Sequence, residues 1–171
     1  MGALVVVPAR MASTRLPGKP LATIAGVPMV VRVARRAAAV PGVRVVVASG
    51  DAPVLAACEV ARVESIRTPT ELPSGTHRVG AAVASLGIDG VPVVNVQGDE
   101  PFVEPADIEA ALAAVESGAP IATLAAPLLG DPHCPDRVKV RFSASGTAEA
   151  FSRLPLGTPH WQHLGLYAFA P

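Results

Sequence analysis

This chain of 171 residues predicts an α/β fold: three α/β/α layers, with helices on both faces of a mainly parallel, mixed sheet. Three observations predict it. Short β-branched apolar runs recur along the chain and are apolar on both faces, as strands covered from both sides are. Stretches of about a dozen residues with helical character separate these runs. Half of the residues are apolar and 16% are charged, which suffices for a sizeable core. That composition excludes intrinsic disorder. A membrane-spanning helix is excluded as well, because no run of about 20 apolar residues is uninterrupted. The longest candidate, Val27–Val40, is broken by Arg32, Arg35 and Arg36.

Ala3–Val7 reads as a buried strand ending at Pro8, and residues 8–20 as a loop with prolines and a glycine. Pro28 opens a helix to about Ala39, since proline suits a first turn. Val43–Ala48 is a second strand. Asp51 is placed to cap a helix over Ala52–Val63. Glu64–Thr68 is a short strand, residues 69–75 a polar loop and Thr76–Leu86 a helix capped by Ser74. Val91–Val96 is a third strong strand, ending in Gln97-Gly98-Asp99-Glu100-Pro101, and Pro105–Glu116 is an alanine-rich helix. Ile121–Ala126, Val138–Phe142 and Leu164–Phe169 read as later strands, and the Pro/Gly-rich segment Leu154–Pro159 as a loop. With no repeat and no linker, residues 1–171 read as a single domain.

The charge is uneven. Residues 1–50 hold seven Lys/Arg and no Asp/Glu, whereas residues 51–171 hold the other seven bases and all fourteen acids. The bases interleave with apolar runs, which points to an anion site within a fold and away from a nucleic-acid tail. Cys58 and Cys134 have neither metal nor disulfide spacing, and the four histidines form no metal set. Leu4–Val7 is too short for a signal-peptide core. A cytoplasmic protein without membrane insertion is therefore expected.

In open α/β sheets, ligands bind beyond the carboxyl ends of the strands. Two features fall there. The first loop carries Arg10, Arg15 and Lys19 among small residues, which suits a triphosphate: arginine forks phosphate oxygens and lysine adds a point charge. The same composition also fits a solvated surface loop. It is not a Walker A loop, because Ser13 and Pro20 stand where Gly and Ser/Thr are needed. The second feature is the Gln97–Pro101 turn, where Asp99 could hold Mg2+ shared with phosphates or serve ordinary turn chemistry. Ser74-Gly75-Thr76-His77-Arg78 adds short hydrogen-bonding side chains and a cation at the same edge.

The stretch Pro8-Ala-Arg-Met-Ala-Ser-Thr-Arg-Leu-Pro-Gly-Lys-Pro-Leu21 resembles the opening motif of the 3-deoxy-manno-octulosonate cytidylyltransferases, or CMP-Kdo synthetases. Four more stretches resemble that family in order: Leu72–Val79, Val94–Pro101, Arg137–Val140 with Phe151–Arg153, and His163–Tyr167. The resemblance runs from residue 3 to residue 169. It implies a fold like that of nucleotide-diphospho-sugar transferases and a reaction in which CTP and 3-deoxy-D-manno-octulosonate (Kdo) give CMP-Kdo and pyrophosphate, a step of lipopolysaccharide biosynthesis. By the same resemblance, Arg10, Arg15 and Lys19 would act catalytically on the triphosphate. Ala9, Ser13, Ser74 and Thr76 would surround the cytidine, and Asp99 would bind Mg2+. Gln97, Arg78, His163, Tyr167 and Arg153 would face the sugar acid, and a homodimer of the family type would be the assembly.

The chain departs from the family pattern in places. His77 stands at a position that is usually acidic, Ala170 at one commonly basic, and the segment from Arg153 to His163 is short. No residue matches the late Gly-Val-Asp motif that carries a second Mg2+ carboxylate in the family, so a C-terminally shortened member is expected. Two other readings stand beside this one: a cytidylyltransferase for another sugar acid (amino-Kdo or sialic acid), and a non-catalytic CTP-binding remnant.

Overall fold

A computed structural model describes residues 2–12 and 16–171. In chain order the elements are β1 (Ala3–Ala9), β2 (Thr23–Ile24), β3 (Val27–Pro28), α1 (Met29–Ala37), β4 (Val43–Ser49), α2 (Ala52–Val60), β5 (Ser65–Arg67) and α3 (Gly75–Leu86). There follow β6 (Val93–Val96), α4 (Pro105–Glu116), β7 (Ile121–Pro127), β8 (Lys139–Phe142), β9 (Ala148–Ser152) and β10 (Trp161–Phe169). A single 3-10 turn, Lys19–Leu21, precedes β2. Where the sequence reading drew no boundary, contacts cluster into two compact units: Met1–Ala122 with Leu166–Pro171, and Thr123–Gly165. Each is described by itself.

In the larger unit β1 is the central strand, buried along all seven residues. It pairs in parallel with β4, Val5 opposite Val45, and with β6, Val5 opposite Val94. On the far side of β4, β5 is also parallel. Beyond β6 the Leu166–Phe169 end of β10 runs antiparallel, which makes the sheet mixed. Because side chains alternate across a strand, Leu4 and Val6 join Val46 and Ala48 under Val79 and Ala82 of α3. The intervening β1 side chains, Val5 and Val7, turn to the other face, where α1 covers β1 and β4 and α2 covers β4 and β5. That is the three-layer, mainly parallel arrangement the sequence predicts.

Differences from the predicted elements have local causes. Helix α2 stops at Val60, three residues early. Arg62 takes φ +55°, and the amides of Arg62 and Val63 bond back to the Glu59 and Cys58 carbonyls, a left-handed Schellman closure. Asp51 is the N-cap residue of α2, but its side chain makes no capping bond. Of the other four bases among residues 1–50, Arg32 and Arg36 tie elements together. Arg32 donates to the Ile24 carbonyl at 2.6 Å, Arg36 donates to the Val103 carbonyl, and Arg36 also pairs with Glu104.

In the smaller unit β8 and β9 form a hairpin closed by Gly146 at φ +82°, and Trp161 and Gln162 of β10 pair with β8. Strand β9 was not predicted. Its Ala148-Glu149-Ala150-Phe151-Ser152 sequence has weak strand propensity, and only pairing with β8 makes it extend. Lys139 is buried here, with Nζ donating to the carbonyls of Cys134, Arg137 and Arg153 at 2.5–2.9 Å. Three acceptors replace water around the ammonium, which is what allows the charge inside.

Cys58, on the inner face of α2, is fully buried, and burial pushes its thiol up to about 11, whereas Cys134 lies in a partly exposed loop. The thiolate is the reactive form. At pH 7.5 an alkylating reagent should label Cys134 in the native protein and Cys58 only after unfolding, as read by peptide mass spectrometry. Equal native labelling of both would contradict the packing.

Candidate functional site

The parallel register brings the carboxyl ends of β1 and β6 side by side. The Gln97-Gly98-Asp99 turn leaves β6 directly against the exit of β1. A Cβ on Gly98 would stand 2.7 Å from the Pro8 carbonyl oxygen, so only glycine allows this approach. Between these exits and the N-terminus of α3 lies a cavity of about 520 Å3. Pro8, Ala9, Arg10 and Ala12 line it from the first loop, with Leu16, Lys19 and Pro20. Leu72, Ser74, Gly75 and Arg78 form another wall, and Gln97, Gly98 and Asp99 the third.

The loop is folded onto itself and its surroundings. Gly18, at φ +71°, donates its amide to the Met11 carbonyl at 3.2 Å and opens the 3-10 turn that presents Lys19. Lys19 Nζ stands 2.6 Å from Asp99 Oδ2. The cation loop and the acidic turn, eighty positions apart in sequence, therefore meet at one edge of the sheet. Asp51 Oδ2 accepts the Met11 amide at 2.8 Å, so this carboxylate serves the loop and not the helix it was expected to cap.

Ser74 does cap its helix. Its Oγ accepts the His77 amide at 3.3 Å and lies 2.8 Å from His77 Nδ1. The first-turn amides of α3 thus open toward the cavity with the positive end of the helix dipole. Thr76 is exposed on that first turn and is not part of the cavity wall. The Arg78 side chain reaches inward. Nη1 donates to Thr68 Oγ1 at 2.5 Å and the Pro69 carbonyl at 2.9 Å, and Nη2 to the Thr70 carbonyl at 3.1 Å. Burial lowers its pKa, and the nearby Asp51 charge opposes that shift. Arg78 therefore lines the cavity while holding the 68–70 loop.

Gln97 is oriented by its own strand: its Nε2 donates to Asn95 Oδ1 at 3.1 Å. Asn95 is wholly buried, and its Nδ2 has no hydrogen-bond partner among the described residues. Such a group costs about 1–3 kcal/mol, the outlay that fixes the Gln97 amide at the cavity wall. Tyr167 lies across from Asn95 in the ladder and stacks on Phe169 at 6.4 Å, and burial raises its pKa. Tyr167 does not line the cavity.

Two expected site residues belong to the smaller unit. His163 Nε2 lies 2.8 Å from Thr123 Oγ1, its ring meets Phe151 edge-on at 5.2 Å, and burial lowers its pKa, which favours neutral imidazole at pH 7. Arg153 Nη1 donates to the Pro135 carbonyl at 2.6 Å. Ser13 and Arg15 lie outside the described residues. Sequence reasoning missed Leu16, Leu72 and Gly75 as cavity wall, and Asp51 as a loop anchor. Gly98 inside an acidic strand exit was the available signal for a close backbone approach.

A model of the Cytidylyltransferase family matches residues 4–167. The chain belongs to that family. Within it the chain groups with the 3-deoxy-manno-octulosonate cytidylyltransferases, as the five motifs predict. It is 50% identical over 157 residues to the enzyme of that name from Verminephrobacter eiseniae, a match covering 89% of this chain and 58% of that one. It is 40% identical over 188 residues to the one from Herminiimonas arsenicoxydans, covering 99% and 75%. A solved CMP:2-keto-3-deoxy-manno-octonic acid synthetase complexed with CTP superposes with a TM-score of 0.90 at 35% identity, covering 99% of this chain and 74% of that one. The chain thus spans between about half and three quarters of these relatives' length. Among its described residues no helix is long and apolar enough to cross a membrane.

One acid at the site is held at a disadvantage. Burial, and then the Asp99 charge, raise the Glu100 pKa, with Lys19 opposing. A carboxyl with a raised folded-state pKa binds protons more readily folded than unfolded, so it destabilises the fold when ionised. Glu100→Gln should therefore melt higher than wild type at pH 7, and the gap should close as the pH falls below the carboxyl's titration. Calorimetric melting between pH 4 and 8 checks this; a gap that widens on acidification would contradict it.

Proposed function

We propose that this chain catalyses transfer of a cytidylyl group from CTP to Kdo, giving CMP-Kdo and pyrophosphate. The observation that carries the reading is the cavity at the joined ends of β1 and β6, where Arg10, Lys19 and the α3 N-terminus converge on one volume. The CTP named in the structural neighbour supports the nucleotide, and the relatives' names support the sugar acid. A role in lipopolysaccharide biosynthesis and a cytoplasmic location follow from the same reading.

The anomeric hydroxyl of the sugar acid attacks the α-phosphorus. A new oxygen–phosphorus bond forms, the α–β bridging bond breaks, and pyrophosphate and the hydroxyl proton leave. Negative charge on the phosphate oxygens is the quantity to stabilise, and preorganised donors do so without reorganising. Arg10 and Lys19 supply fixed cations from the first loop, joined by Arg15 on the family motif. Ala9, Ser13, Ser74 and Thr76 lie around the cytidine in this reading, with the α3 amides near its phosphates. Gln97, whose amide Asn95 orients, reads the sugar hydroxyls. Arg78 adds a cation at the cavity wall for the sugar acid, and the family motif alone assigns that role to Arg153, His163 and Tyr167.

The described residues include no group of three or more His, Cys, Asp or Glu that could hold a metal. They offer Asp99 at the cavity wall, with Oδ2 beside Lys19. That fits Mg2+, which takes one or two carboxylates and completes its shell with substrate phosphates and water. When bound, the ion would neutralise phosphate charge, and Asp99 would hold it.

The test is pyrophosphate release by the intact protein. CTP with Kdo and Mg2+ should turn over, EDTA should stop the reaction, and amino-Kdo or sialic acid should be slower than Kdo. Lys19→Ala should lower kcat/KM by at least about a hundredfold. Absence of turnover together with absence of CTP binding in calorimetry would sink the reading.

A further inference from the structure

Asp51 is an acid beside a cavity read as taking a triphosphate, and on charge alone it opposes such a ligand. Strand β4 pairs with β1 to its end, Ser49 opposite Ala9, so Asp51 emerges at the edge from which the first loop departs. Its amide donates to Ser49 Oγ at 3.1 Å, and its carbonyl accepts from Val54 and Leu55 as α2 begins. The backbone thus starts the helix, while the side chain makes no capping bond there. Instead Oδ2 accepts the Met11 amide, one residue beyond Arg10. Met11 is also where the loop closes, its carbonyl accepting from Gly18 just before Lys19. One residue therefore receives both ties, and Arg10 and Lys19 flank them.

We propose that Asp51 is a positioning residue for the phosphate loop. Its carboxylate holds the Met11 amide and so sets where Arg10 and Lys19 stand around the cavity. The unfavourable charge persists because a carboxylate acceptor holds an amide more firmly than a neutral one. The kinetic part of this proposal rests on the CTP reading; the amide contact does not.

Hydrogen exchange at the Met11 amide, melting temperature, and KM for CTP and for Kdo would be measured for wild type, Asp51→Ala, Asp51→Asn and Asp51→Glu. Asp51→Ala should speed Met11 exchange and raise KM for CTP, each by about tenfold, with KM for Kdo within about twofold. Asp51→Asn keeps an acceptor oxygen in place and should restore both quantities toward wild type. Asp51→Glu keeps the charge but displaces the acceptor, and should behave like the alanine variant. Unchanged Met11 exchange in Asp51→Ala would overturn the proposal. So would glutamate rescuing better than asparagine, a comparison that decides even if the alanine variant does not fold. A wild type that neither binds nor turns over CTP would defeat the CTP reading, while Met11 exchange would still decide the clamp.

Discussion

The site depends on one constraint: β1 is buried along its whole length and pairs in parallel on both edges. A strand with no exposed face must be covered from both sides, and parallel partners must be reached by crossovers that return over the sheet. Helices α1 and α3 supply that cover on opposite faces. Every strand of the parallel set then ends at the same edge, so the loops after β1, β5 and β6 share one neighbourhood. The cavity is the space that those loops leave. Its chemistry comes from short segments, and its location comes from the ladder.

Within that space the charges are arranged more economically than the cation-rich opening of the sequence suggests. Lys19 and Asp99 are partners in a half-exposed pair, whose contribution to stability is modest and whose effect is to join two loops. Arg78 holds three oxygens of the 68–70 loop from inside the wall. Arg10 is left as the exposed cation of the described part of the loop. Glu100 and Asn95 each carry an unfavourable term, a partly desolvated carboxyl beside Asp99 and a side-chain amide without a partner among the described residues, and both flank the Gln97–Asp99 turn. Such terms gather where geometry has been selected over stability.

Much of this was legible in the sequence because it is periodic or compositional. The β-branched runs mark β1, β4 and β6, the Ser74 cap and the Pro105 start mark helices, and the loop motif marks the family. What was not legible depends on distant partners. Strand β9 is alanine-rich and extends only because β8 pairs with it. Asp51 looks like an ordinary helix cap, since the sequence carries no sign that Met11 lies opposite. Nothing in the sequence marks Arg32 and Arg36 as ties, because the carbonyls they bind, at Ile24 and Val103, lie in other segments. Cavity residues such as Leu72 and Gly75 acquire that role from the fold alone.

The register of β1 also bears on the order in which the molecule can assemble. Its partner β4 arrives about forty residues later, but β6 pairs Val94 with Val5 only after nearly ninety have been made. Closing so long a loop carries an entropic cost before any contact repays it. Until then one edge of the most apolar strand in the chain has unmet amides and carbonyls, and the exits of β1 and β6 are not yet neighbours. During synthesis, then, the cavity forms late, and the nascent chain passes through a stage in which a sticky strand waits for its second neighbour. A molecule built this way offers one edge of β1 for pairing until β6 is in place, and its active edge exists only after that.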